Sequence, residues 1–192
     1  FGISFHADHA WTWYEPAQRY DREGDKMGVS YDGTLTKADG KGKWWEGYDP
    51  QDLYAQNHPM SKGSWANGMI HSQWTWENGA ATPSQKFCTN FYNRTLDAIN
   101  RYNPDLIYFD VTVVPFYPIS DAGLKIAAHF YNHNMATHKG KLEGVMFGKI
   151  LDENQRKGLV WDVERGAPNQ IQETAWQSCS CIGGWHYNTS IY

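Results

Sequence analysis

Cysteine is scarce in this 192-residue chain, and the three present, Cys88, Cys179 and Cys181, form an odd set with no repeated spacing. That excludes a disulfide framework as the source of stability. Cys179-Ser-Cys181 is too tight for a zinc pair, and no second pair exists to complete four ligands. Positive charge is also in deficit: 17 Lys and Arg stand against 21 Asp and Glu, a net charge of −4. Nucleic acid and anionic membranes are therefore not expected partners. No long apolar run occurs, and a mean hydropathy of −0.69 gives no membrane span. A Gly-x-Ser-x-Gly elbow, a P-loop and a dinucleotide fingerprint are all missing, which removes the usual sequence support for serine hydrolase, phosphoryl-transfer and nicotinamide chemistry. Asn93-Arg-Thr95 and Asn188-Thr-Ser190 match the glycosylation pattern, but short matches arise by chance and neither carries functional weight.

Aromatic residues are abundant, at 16% of the chain with 10 Trp and 12 Tyr. Flat rings with polar edges stack on the C–H faces of sugars, and they also fill cores. The most informative stretch is Asn103-Pro-Asp-Leu-Ile-Tyr-Phe-Asp110. Leu106 to Phe109 have the continuous apolar character of a parallel strand covered on both faces. Asp110 follows at the carboxyl end, where such folds place their chemistry.

The rest of the chain supplies an alternating pattern. Residues 1–6 read as a strand, and a polar, Gly-rich stretch from about Asp21 to Asn78 reads as a long insertion loop. Phe87, Phe91, Leu96 and Ile99 predict a helix over 84–101, ended by Asn103-Pro104. Ser120 and Asp121 predict the cap of a second helix with an apolar stripe through Leu124, Ala127, Ala128, Tyr131 and Met135. Further strands are expected at Gly144–Gly148, Leu159–Val163 and Cys181–His186. The fold class this predicts is α/β, with parallel strands whose carboxyl ends share one face. About four or five strands are too few for a complete eight-stranded barrel. The chain opens on Phe1-Gly-Ile-Ser-Phe-His6 as if in mid-strand, which predicts further chain upstream.

Asp110, Glu164 and His6 each follow a predicted strand and are expected to face one cleft. Two carboxyl groups on neighbouring strand ends are the apparatus of a retaining glycosidase, with Asp110 as nucleophile and Glu164 as acid/base. An alternative centres a metal-dependent hydrolase on His6, Asp8 and His9. Another is a carbohydrate-binding barrel protein without catalysis.

These residues resemble a known family, the family 29 glycoside hydrolases or retaining α-L-fucosidases. Phe1-Gly-Ile-Ser-Phe-His-Ala-Asp-His-Ala-Trp11 is similar to the family's mid-barrel strand, and the stretch ending in Asp110 is similar to its nucleophile strand. Trp161-Asp-Val-Glu-Arg-Gly166 through Ala175 to Asn188 is similar to the region of its acid/base and a later aromatic turn. The resemblance implies a (β/α)8 TIM-barrel-like domain present over 1–192 as its middle-to-late part, without the first strands or a C-terminal β-domain. It implies no cofactor and no metal, a fucosylated glycan or aryl fucoside as substrate, a missing barrel half from the same or another chain, and a secreted, periplasmic or lysosome-like setting. By the same resemblance Asp110 is the nucleophile and Glu164 the acid/base, with Glu173 and Glu153 as alternatives. His6, His9 and His186 are then expected to bind sugar hydroxyls, and Trp11, Trp13, Trp185 and Tyr187 to pack on the fucose ring and its methyl group. Lys149 lies where some members use an Arg beside the sugar, and Val111 where many have Gly after the nucleophile.

Overall fold

A five-stranded, all-parallel sheet in the order β1-β2-β3-β4-β5 organises the molecule, in a computed structural model that describes residues 1–12, 24–25, 35–50, 59, 61, 80–110, 114–181 and 183–184. The strands are β1 (Gly2–Phe5), β2 (Leu106–Phe109), β3 (Val145–Gly148), β4 (Val160–Glu164) and β5 (Trp176–Cys179). Between them lie α1 (Asp8–Thr12), α2 (Gln85–Tyr102) and α3 (Ala122–Thr137). This is the α/β architecture that the alternation of patterns predicts, and it is consistent with the partial (β/α) barrel that the resemblance implies.

Strand side chains alternate between two faces. One face of β2 sends Ile107 and Phe109, both fully buried, into a core with Ile99, Phe130, Ile126 and Met146. Burying each such side chain stabilises the fold by about 1.5–3 kcal/mol relative to exposure. The opposite face carries Tyr108 and, across the sheet, Asp162. The strand run is thus apolar towards the helices and polar-edged towards the interior.

α2 starts where Ser84 accepts a hydrogen bond from the Phe87 amide at 3.1 Å, and it ends where Asn103 turns left-handed at φ 45° ahead of Pro104. The buried face of α3 is rotated from the one expected, keeping Ala127 buried and Tyr131 packed on the core. Ala122, Gly123, Ile126, Ala127, Phe130 and Asn134 point inward, while Leu124 and Ala128 are exposed. Two residues that hydropathy passes over decide this, one by lacking a side chain and one by its amide. A Cβ on Gly123 would lie 2.8 Å from the Pro115 backbone, and Asn134 Oδ1 accepts from the Glu143 and Gly144 amides at 2.8 and 2.9 Å.

The fifth strand among the described residues is Trp176–Cys179, a segment to which the sequence pattern assigns no strand. Asp162 pairs with Gln177 and Glu164 with Cys179, whereas Gly183 has φ 92°, outside the extended region. The remainder of the expected strand, and most of the insertion loop, lie outside the described residues. Among the described residues no helix is long and apolar enough to cross a membrane.

The loop after β2 is held from below. Phe116, at φ 62°, adopts a backbone conformation that costs a non-glycine residue about 1–2 kcal/mol. Its amide donates to Asp8 Oδ1 at 2.7 Å, and its ring packs edge-on against Phe87 and Phe91.

Candidate active site

Register carries the polar residues to one edge of the sheet. Phe5 pairs with Phe109, and Phe109 with Gly148, so His6, Asp110 and Lys149 follow in step at three adjacent strand ends. Glu164 closes β4 beside them. The Asp110 amide also donates to the Phe5 carbonyl at 2.9 Å, which fixes its backbone on β1.

Lys149 joins the two acids. Its Nζ lies 2.5 Å from Asp110 Oδ1 and 3.2 Å from Glu164 Oε2, and its side chain is only 13% exposed. Those two distances laid end to end limit how far apart the two carboxylate oxygens lie. His6 Nε2 approaches the other Asp110 oxygen at 3.0 Å. The hydrogen bond from His6 holds the Asp110 carboxyl well below the usual carboxylate range, and the bond and charge of Lys149 add to this against the opposing effect of burial. Burial works against the Lys149 cation, but the bond and charge of Asp110 with the charge of Glu164 outweigh it and raise its pKa. His9 sits beside His6 with ring centroids 5.7 Å apart. Burial first, then the positive charges of His6 and Lys149, lower its pKa to about 4, so it is neutral at neutral pH.

Beneath this layer is a second polar cluster that sequence reasoning missed. Asp162, 1% exposed, accepts from the Tyr108 hydroxyl at 2.6 Å and the Cys179 thiol at 3.1 Å. The Tyr108 ring in turn lies 6.0 Å from Lys149 Nζ. Burial and then the bond to Asp162 push the Tyr108 phenol far above its ordinary value, so it stays a donor. The available signal was an acid in the middle of the apolar run Leu159-Val-Trp-Asp-Val163, which alternation turns away from the core.

The other expected site residues separate. Trp11 is 5% exposed and packs on Phe87 with centroids 4.9 Å apart, in the core rather than as an open platform for a sugar. Glu153 and Glu173, the alternatives for the acid/base, are exposed, and it is Glu164 that shares Lys149 with Asp110. Trp13, Trp185, His186, Tyr187 and Val111 lie outside the described residues. The metal alternative loses Asp8: the carboxyl is fully buried, bonded to Phe116, and pushed up by burial to about 8, so it is protonated at neutral pH and a poor ligand. Among the described residues no group of three or more His, Cys, Asp and Glu side chains is placed to hold a metal ion.

A search of curated proteins returned no match. A family model described as alpha-L-fucosidase matches residues 11–191, nearly the whole chain and every strand from β2 to β5. With its parallel sheet and paired acids at the strand ends, the chain belongs to the α-L-fucosidase family of glycoside hydrolases.

Proposed function

We propose that this protein removes α-L-fucose from glycoconjugates with retention of configuration, through a covalent glycosyl-aspartate on Asp110. An Asp110 oxygen attacks the anomeric carbon while the bond to the leaving oxygen breaks and Glu164 delivers its proton there. Water then attacks the same carbon, gives a proton to Glu164, and releases Asp110 as a carboxylate.

The observation that supports this reading is the sharing of one ammonium by both acids. It sets a ceiling on the distance between the two contacting carboxylate oxygens, and that ceiling admits the about 5–5.5 Å of retaining pairs. Asp110 is held ionised, as a nucleophile must be. The longer contact, to Glu164, is the one that gives way when that group carries its proton. His6 and neutral His9 stand at the same edge as partners for sugar hydroxyls. Barrel strands beyond the five, from the same or another chain, complete the enclosure in this reading.

The test is hydrolysis of an aryl α-L-fucoside by the full-length protein. Asp110→Asn is expected to abolish turnover with the fold retained. Normal turnover in that variant removes Asp110 from the role of nucleophile.

A further inference from the structure

Trp44 is 89% exposed and Tyr48 is 74% exposed, in a segment whose backbone is otherwise tightly organised. Thr36 and Asp39 close a capping box around the 3-10 turn Lys37–Gly40, with the Thr36 amide donating to Asp39 Oδ2 at 2.8 Å. The turns continue through Lys43 to the Gly40 carbonyl, Glu46 to Lys43, and Tyr48 to Trp45, while Glu46 Oε2 accepts from the Gly42 amide at 2.9 Å. Of the three aromatic residues in this segment, Trp45 folds inward. Its ring lies where a Cβ on Gly40 would come within 2.6 Å, and Lys43 Nζ stands 5.5 Å from its centroid. The other two rings turn outward.

A single exposed ring is ordinary on a protein surface. Two large rings, four residues apart on a self-capped segment anchored by a third, are a different case. They stay exposed on a backbone already ordered, so binding through them adds little ordering cost. Topology adds the second part of the argument. The segment belongs to the connection that leaves the carboxyl end of β1, the sheet edge that carries His6, Asp110, Lys149 and Glu164. Connections from that edge are the ones that line the approach to such a site.

We infer that Trp44 and Tyr48 form a stacking platform for pyranose residues of the glycan on the leaving-group side of the fucose. The inference rests on the fucosidase reading and names the part of the substrate beyond the cleaved bond. Apolar faces of neutral sugars meet amphipathic rings without a charge partner, and the segment offers two such rings in the open.

Full-length protein carrying Trp44→Ala with Tyr48→Ala is compared with wild type on fucosyllactose and on an aryl α-L-fucoside. Expected is a loss of about tenfold in kcat/KM on fucosyllactose, carried by KM, with the aryl fucoside unaffected and Trp44→Tyr restoring most of the loss. Equal losses on both substrates, or none on fucosyllactose, overturn the platform. Lactose binding followed by saturation-transfer NMR gives an independent arm: contacts in wild type that vanish in the double variant support the platform, and their absence from wild type overturns it. A wild type that cleaves neither fucoside defeats the fucosidase reading, while the lactose arm still decides whether these rings hold sugar.

Discussion

Replacing Lys149 with Met keeps most of the stem and deletes the ammonium that separates Asp110 from Glu164. The pair broken is partly enclosed, with Lys149 13% and Asp110 29% exposed. Breaking a fully buried pair costs about 3–5 kcal/mol and an exposed one about 0–1 kcal/mol. A figure of about 2 kcal/mol is appropriate between these limits, because the variant leaves two carboxylates facing each other with His6 alone beside them. For a chain of this length that corresponds to a fall in Tm of about 4–8 °C at neutral pH. The sign with pH follows from Asp110, whose folded pKa is depressed. Its pairing stabilises the fold fully above the unfolded value of about 3.9, and the stabilisation disappears as pH falls through the lower folded value. The gap in Tm between wild type and Lys149→Met is therefore flat from about pH 5 to 8 and narrows below about pH 4. Thermal melts across that range measure it. Equal Tm values at neutral pH, or a gap that widens on acidification, refute the reasoning.

The same site yields other outcomes. Glu164→Ala is expected to slow poor leaving groups by about 10²-fold or more and activated aryl fucosides less, with added azide restoring turnover of the latter as the fucosyl azide; uniform loss across leaving groups, read from kcat/KM, argues against an acid/base role. Asp8→Asn keeps an acceptor for the Phe116 amide without an ionisable group. Because burial raises Asp8 to about 8, wild type loses stability as pH rises from about 4 to about 8, on the order of several kcal/mol, and the Asn variant lacks that part of the slope. Chemical denaturation at several pH values detects the difference, and parallel slopes contradict the assignment.

Much of this architecture is legible in linear order because local chemistry marks it. The β-aliphatic and aromatic run before Asp110 predicts β2, and Ser84 and Asn103 predict the limits of α2. What escapes is set by partners distant in sequence. Asn134 is buried because it caps amides nine and ten residues later, so the face of α3 rotates away from the stripe that hydropathy suggests. β5 is chosen by its ladder with β4 rather than by its own composition. The bridging role of Lys149 and the bond of Tyr108 to Asp162 across 54 positions both need the register of the sheet.

That register also fixes the charge balance of the cleft. Lys149 contacts both Asp110 and Glu164, His6 contacts Asp110 alone, and neutral His9 stands beside them without adding charge. On the proposed mechanism the sugar becomes oxocarbenium-like between bond breaking and bond making. The Asp110 carboxylate, held ionised, is complementary to that species more than to the neutral substrate, which is the condition for lowering the barrier rather than tightening ground-state binding. On that mechanism Glu164 becomes a carboxylate as its proton passes to the leaving oxygen, so negative charge appears there while positive charge builds on the ring. A second ammonium beside Asp110, introduced as His9→Lys where the ring is neutral, is expected to lower kcat by more than it raises KM. A variant of that kind with undiminished kcat refutes the charge argument even if both carboxylates keep their assigned roles.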